Sequence, residues 1–122
     1  MQYIGKLDKE KLGKYKLVTE EVVLTNERKN HILEDHRKDY QIIMNNIKRV
    51  VLNPREILED IKNNDTLFFI DKLEKNNLNV VVKLNTTNNK RHPKNSIMTA
   101  WIIRDKNLKK LQQKNITIYK NE

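Results

Sequence analysis

Two of the three histidines in this chain, His31 and His36, fall in one stretch that also carries Glu27, Arg28, Glu34 and Asp35. Histidine, with an unperturbed pKa of roughly 6.5, both takes and gives a proton near neutral pH. Beside cationic groups it suits acid–base chemistry on a phosphodiester. Such chemistry needs a base for the 2′-hydroxyl proton, an acid for the departing 5′-oxygen, and cations or hydroxyl donors for the charged phosphorane. His31 and His36 are the candidates for proton transfer. Arg28, one turn before His31, and Lys83 are candidates to grip the phosphate. Thr99 or Ser96 would supply the hydroxyl, with Thr99 favoured because it shares a strand face with Trp101. The alternative for the histidines is packing for His36 and solvation for His31.

The elements that must position these groups set limits. Five residues on a continuous helix separate His31 from His36 by about 140°, so both reach one phosphate only if the helix ends or bends between them. The apolar stripe that begins at Ile32 and Leu33 turns His36 toward the core and His31 outward with Glu27, Glu34 and Asp35. Ser96 and Thr99 are an odd number of residues apart and face opposite ways on a regular strand, unless a bulge intervenes. Lys90, Arg91, His92 and Lys94 form a basic loop able to track a nucleic-acid backbone, with Arg91 a candidate for phosphate or RNA binding. Tyr40 or Trp101 can stack an exposed base.

Residues 2 to 7 read as a strand, Asp8 to Leu12 as a helical turn stopped by Gly13, and Tyr15 to Leu24 as a second strand. Thr25 or Asn26 caps a helix whose first turn holds Glu27. Helical spacing runs on through Tyr40, Ile43, Ile47, Val50 and Val51, as one helix or as two broken near Arg37-Lys38-Asp39, with Asp39 a second cap. Pro54 ends the pattern at Asn53 and suits the first turn of a new short helix reaching Leu58 or Ile61. Thr66 to Ile70 and Leu78 to Leu84 read as a hairpin, with Leu78, Val80, Val82 and Leu84 on one face and Asn79, Val81 and Lys83 on the other. Ser96 to Ile103 adds a strand, Asp105 to Gln113 an amphipathic helix, and Ile116 to Tyr119 a last strand. The class is α+β, one domain over residues 1 to 122.

The chain has 25 Lys plus Arg against 16 Asp plus Glu, a formal net charge of +9. This balance favours polyanionic partners: RNA, DNA or an acidic protein. With no cysteine there is no disulfide framework and no thiolate chemistry, which suits a reducing cytoplasm. No apolar run approaches the roughly 18 residues of a membrane span, and the first residues do not form a secretion signal, so no membrane association is expected. Arrival in a target cell within a larger secreted chain would leave the same trace. A Gly-rich phosphate loop, a His-Glu-x-x-His helix and a nucleophile elbow are all missing from the sequence. The five-residue histidine spacing is wrong for shared metal coordination, so no metal and no cofactor is expected.

Four landmarks then occur in order: the run into Thr25 with Arg28-Lys29-Asn30-His31-Ile32-Leu33-Glu34-Asp35-His36, Tyr40, Asn53-Pro54-Arg55-Glu56-Ile57-Leu58, and Asn95-Ser96-Ile97-Met98-Thr99. Together they resemble the phage-associated branch of the barnase, EndoU, colicin and RelE superfamily of endoribonucleases, over roughly residues 20 to 104. The resemblance implies N-terminal helices packed on a four-stranded antiparallel sheet, and metal-independent cleavage of RNA; with the residues above, the expected reaction is transesterification of single-stranded RNA or tRNA to a 2′,3′-cyclic phosphate. It also implies a toxin held by an acidic antitoxin or immunity protein. Thr99 aligns with the threonine that ends the family motif; Arg37 stands where this branch often has a proline. Two rival readings come from other classes: a catalytically silent RNA- or DNA-binding module, and an interaction domain for an acidic protein.

Overall fold

The computed structural model describes residues 1–87 and 93–121. Strand β1 (Gln2–Lys6) pairs antiparallel with β2 (Glu21–Leu24), and a tight helical turn over Lys9–Leu12 lies between them. The Asp8 carboxylate caps that turn by accepting the Glu10 N–H at 3.1 Å. Gly13, at φ 58°, ends it. Only the last four residues of the strand expected from Tyr15 to Leu24 are extended in the sheet. Tyr15 and Leu17 instead pack against the core from irregular backbone, and the Val18 N–H is used by the Asn85 carbonyl at 3.1 Å.

Helix α1 (Asn26–Asp35) starts where Thr25, in extended conformation, accepts the Arg28 N–H on its hydroxyl at 3.2 Å. It stops at His36, and a turn over Arg37–Asp39 separates it from α2 (Tyr40–Leu52). Of the two possibilities, two helices form. Asp39 precedes α2, but its side chain makes no capping bond. Helix α2 turns Ile43, Ile47, Val50 and Val51 into the core, each at most 1% exposed. At about 1.5–3 kcal/mol for each buried aliphatic side chain, this face outweighs any propensity term in holding the helix.

Past Pro54 the short helix expected through Leu58 does not form; residues Glu56–Glu59 are strand β3. The reason is burial on two sides. Strand β3 lies between β4 (Thr66–Lys72) and β7 (Ile116–Lys120). Consecutive Ile57 and Leu58 are both buried, in separate clusters on opposite faces of the sheet, which period-two geometry allows and a one-sided surface helix does not. Strand β5 (Asn77–Lys83) completes the hairpin with β4. Strand β6 (Asn95–Ile103) pairs with β5, and α3 (Asp105–Lys114) leads from β6 to β7.

Among the described residues the sheet has seven strands in the order β1-β2-β6-β5-β4-β3-β7, not the expected four. It is not wholly antiparallel either, since β2 and β6 run parallel. Four strands was what the family resemblance implied; the residue patterns mark six of the seven, and β3 is the one read as a helix. Nor are the helices all N-terminal, because α3 follows the sixth strand. Helix α2 covers one face, over Leu67, Phe69, Leu78, Val80, Val82, Ile97 and Ala100. On the opposite face Leu58, Phe68, Ile70 and Val81 form a smaller cluster with Met98 and Trp101, partly roofed by Leu108 and Leu111 of α3. The half of that face which α3 leaves open is where the candidate site lies. No helix among the described residues is long and apolar enough to cross a membrane.

Candidate active site

A cleft of about 950 Å3 opens on this face, its floor made by Thr66 of β4, Lys83 and Val81 of β5, and Ser96 and Met98 of β6. These floor residues come from three strands whose register brings them level: Thr66 opposes Lys83, and Lys83 opposes Ser96. The bulge in β6 matters here. Val82 pairs with Ile97 while Val81 pairs with Thr99, so Met98 is the extra residue. Ser96 and Thr99 therefore lie on the same face despite their odd spacing. Ser96 lines the cleft; Thr99 lies on its face one rung farther in, beyond Met98, and is half-buried.

One wall is the first turn of α1, with Thr25, Glu27 and Arg28. The parallel pairing of Val23 with Ser96 puts that turn, only a few residues on, beside β6. Glu27 is exposed and has no hydrogen-bond or ion-pair partner among the described residues, and its place in the first turn is favourable to a carboxylate. The opposite wall is the β3–β4 turn. There Asp60 is engaged by its own turn, accepting the Lys62 N–H at 2.9 Å and the Asn63 amide at 2.9 Å. Asp65 adopts φ 56°, and it binds the far segment twice: its carbonyl accepts the Leu84 N–H at 2.7 Å and its carboxylate the Thr86 hydroxyl at 2.9 Å.

The closed end of the cleft hangs on Asn95, whose side chain is completely buried. Its amide oxygen accepts the Asn85 N–H at 2.8 Å, and its NH2 donates to the Thr19 and Glu21 carbonyls at 2.8 and 3.0 Å. Beside it Lys94 pairs with Glu21, and the hydrogen bond from this ammonium holds the Glu21 carboxyl below the usual carboxylate range. Lys83 donates to the Asn64 carbonyl at 2.6 Å. Behind the β3–β4 turn, burial and the neighbouring Glu59 anion push the Tyr15 hydroxyl pKa up. The hydrogen bond from Tyr15 holds the Glu59 carboxyl low.

Of the residues singled out from sequence, Arg28, Lys83 and Ser96 meet in this cleft. His31 lies on the same side of α1 as Glu27 and Arg28, about 40° and 60° around the helix from them. Its ring is half-exposed, with Nε2 3.1 Å from Asp35 Oδ2. His36, half-buried, ends α1, where its backbone N–H bonds the Ile32 carbonyl at 2.9 Å, and neither histidine is among the described residues that line the cleft. Tyr40 packs against the main core at the start of α2. Lys90, Arg91 and His92 lie outside the described residues. Sequence reasoning passed over Glu27, Asp65 and the Asn95 anchor as site-builders; Glu27 had a signal in its first-turn position and Asn95 in its place at the head of the Asn95–Thr99 landmark. Among the described residues no three His, Asp or Glu side chains converge as a metal site.

A cleft that gathers a guanidinium, an ammonium, a hydroxyl and an unengaged carboxylate over an antiparallel hairpin has the groups that phosphodiester chemistry requires. The chain belongs to the family described as phage-Barnase-EndoU-ColicinE5/D-RelE like nuclease2, whose model matches residues 2–120. Membership of a nuclease family makes phosphodiester cleavage the class of activity it points to. No curated protein and no solved structure matches the chain.

Proposed function

We propose that the protein is an endoribonuclease that cleaves by attack of the 2′-hydroxyl on the adjacent phosphorus, releasing the 5′-oxygen and leaving a 2′,3′-cyclic phosphate. The observation that carries this reading is the convergence of Arg28, Lys83 and Ser96 on one cleft, with His31 on the adjoining helix side. In this mechanism Arg28 binds the scissile phosphate, and Ser96 donates to a non-bridging oxygen as negative charge builds there. Lys83, on the floor beside Ser96, adds positive charge. The imidazole of His31, oriented by Asp35, exchanges the proton, and Glu27 is the second proton-transfer group within the same helix turn. His36 positions the end of α1, and Thr99 supports the strand beyond Ser96. The chemistry needs no metal, because acid, base and charge stabilisation all come from side chains.

The test is incubation of the purified chain with total RNA in excess chelator, followed by mass spectrometry of the 3′ ends. Cleavage with cyclic phosphate ends, reduced at least about 100-fold in His31→Ala and Arg28→Ala, is the expected result. Equal cleavage by both variants refutes the assignment, and salt-sensitive binding without cleavage favours a silent RNA-binding module instead. In the cell we place this activity in a toxin, acting on tRNA or another single-stranded region and restrained by an acidic antitoxin or immunity protein. The net charge of +9 supports such a partner. Growth arrest that requires Arg28 when the chain is expressed alone is the expected sign.

A further inference from the structure

Among the described residues, those that line the cleft carry no excess of positive charge. Arg28, Lys83 and Lys94 face Glu27, Asp60 and Asp65, three cations against three carboxylates, so these groups by themselves attract a polyanion weakly. A second groove, of about 300 Å3, lies on the other side of α3 between that helix and the β3–β4–β7 part of the sheet. Arg55, Lys72, Lys109 and Lys120 surround it. Lys106 and Lys110, exposed on the outer side of α3 with Lys109, extend the cationic surface away from it. None of these six has an ion-pair partner among the described residues.

The groove also holds three carboxylates, of which Asp71 is ion-paired, so four cations stand against three carboxylates within it and most of the excess comes from Lys106 and Lys110 on α3. Glu56 accepts from the Gln112 amide at 2.7 Å, Asp71 from Arg49 at 3.1 Å, and Asp105 from the Asn77 amide at 2.8 Å. We propose that this groove and the lysines of α3 form a second binding site, for the phosphate backbone of RNA outside the cleft. The inference rests on RNA being the substrate of that cleft.

Its location supports RNA over an acidic protein as the occupant. Thr66 in the cleft and Lys72 in the groove are on one strand, as are Lys83 and Asn77. An even separation puts each pair on the same face, about 20 Å apart along the strand. A single strand held in the cleft thus meets α3 within a few nucleotides, the lower end of known single-strand footprints of about 4–16 nucleotides. Phosphates at that distance neutralise the lysines and release their counterions, which adds long-range attraction to that of the cleft.

The experiment uses the full chain and uncleavable 2′-O-methyl RNA, a long single strand and a dinucleotide, with binding followed by anisotropy across a salt series. The triple variant Lys106→Glu, Lys109→Glu, Lys110→Glu should weaken binding of the long strand and lower its log–log salt slope by about 2, at roughly 0.7 for each phosphate that is no longer neutralised. Binding of the dinucleotide, too short to leave the cleft, should not change. Arg55→Gln with Lys120→Gln is the second variant, and should reduce the slope by about 1. Unchanged slopes for the long strand in both variants overturn the second site, as does equal weakening of the dinucleotide. Because the assay needs no cleavage, absence of nuclease activity would count against the proposed function and not against this site.

Discussion

Replacing Asn95 with alanine tests how the closed end of the cleft is built. The side chain is 0% exposed and makes three hydrogen bonds, at 2.8, 2.8 and 3.0 Å, to backbone groups of Asn85, Thr19 and Glu21. Truncation takes the acceptor from a buried N–H, which costs about 1–3 kcal/mol, and removes two further bonds worth about 0.5–1.5 kcal/mol each. The sum is a loss of about 2–6 kcal/mol, and a fall in Tm on the order of 10 °C for a domain of this size. Urea unfolding followed by fluorescence of Trp101, the single tryptophan, should show a lower midpoint with an unchanged m-value. Asn95→Asp is the sharper probe: it preserves shape and the acceptor for Asn85 but turns a carboxylate oxygen toward two carbonyls. It should destabilise at least as much as alanine. Since Lys94 and Ser96 flank this residue and both line the cleft, RNA cleavage should fall in the same variants. A loss below about 1 kcal/mol in Asn95→Ala, or wild-type stability in Asn95→Asp, refutes the reasoning.

Three further outcomes rest on particular side chains. Asn79 is buried between Ile70 and Trp101 with neither amide atom hydrogen-bonded, so Asn79→Leu should raise the urea midpoint by the equivalent of about 1–3 kcal/mol; a lower midpoint refutes this. Gly5 sits at φ 149°, which side-chain-bearing residues rarely adopt, and a Cβ there would come within 2.8 and 2.9 Å of the Leu52 methyls, which would have to shift. Gly5→Ala should cost about 1–3 kcal/mol in thermal unfolding, and a neutral effect would show that β1 shifts freely. Glu21 has its folded pKa depressed by Lys94 from an ordinary 4.5. A depressed carboxyl stabilises the fold above its unfolded pKa, and that contribution disappears as pH falls through the lower folded value. Stability against acid should therefore decline more steeply below about pH 4.5 in the wild type than in Lys94→Ala, and parallel pH curves would refute the pairing.

Most local elements could be read from sequence because their signals are local. Thr25 caps α1 through a hydroxyl three residues from its donor, Gly13 ends a turn, Pro54 follows the end of α2, and the alternation in Asn77–Lys83 assigns each side chain of β5 to its face. Strand β3 could not be read so. Glu56-Ile57-Leu58-Glu59 is a short run with an apolar centre after a proline, consistent with a helix start or a buried strand. Only its place between β4 and β7 selects the strand. The same non-local pairing carried the sheet from the expected four strands to seven.

The candidate site divides along the same line. Residue types and spacing alone pick out His31, His36, Arg28, Lys83 and Thr99 or Ser96 as groups able to act on a phosphate, and a spacing of five lets both histidines reach one phosphate only if the helix ends or bends between them. The tertiary structure decided which of them meet. The parallel pairing of β2 with β6 delivers the first turn of α1 to Ser96, the bulge at Met98 returns Thr99 to the same face, and the balance of charge in the cleft depends on Asp60 and Asp65 arriving from another turn. These residues lie tens of positions apart in the chain, and their register is chosen by how whole faces of the sheet pack, a quantity no short window of sequence contains.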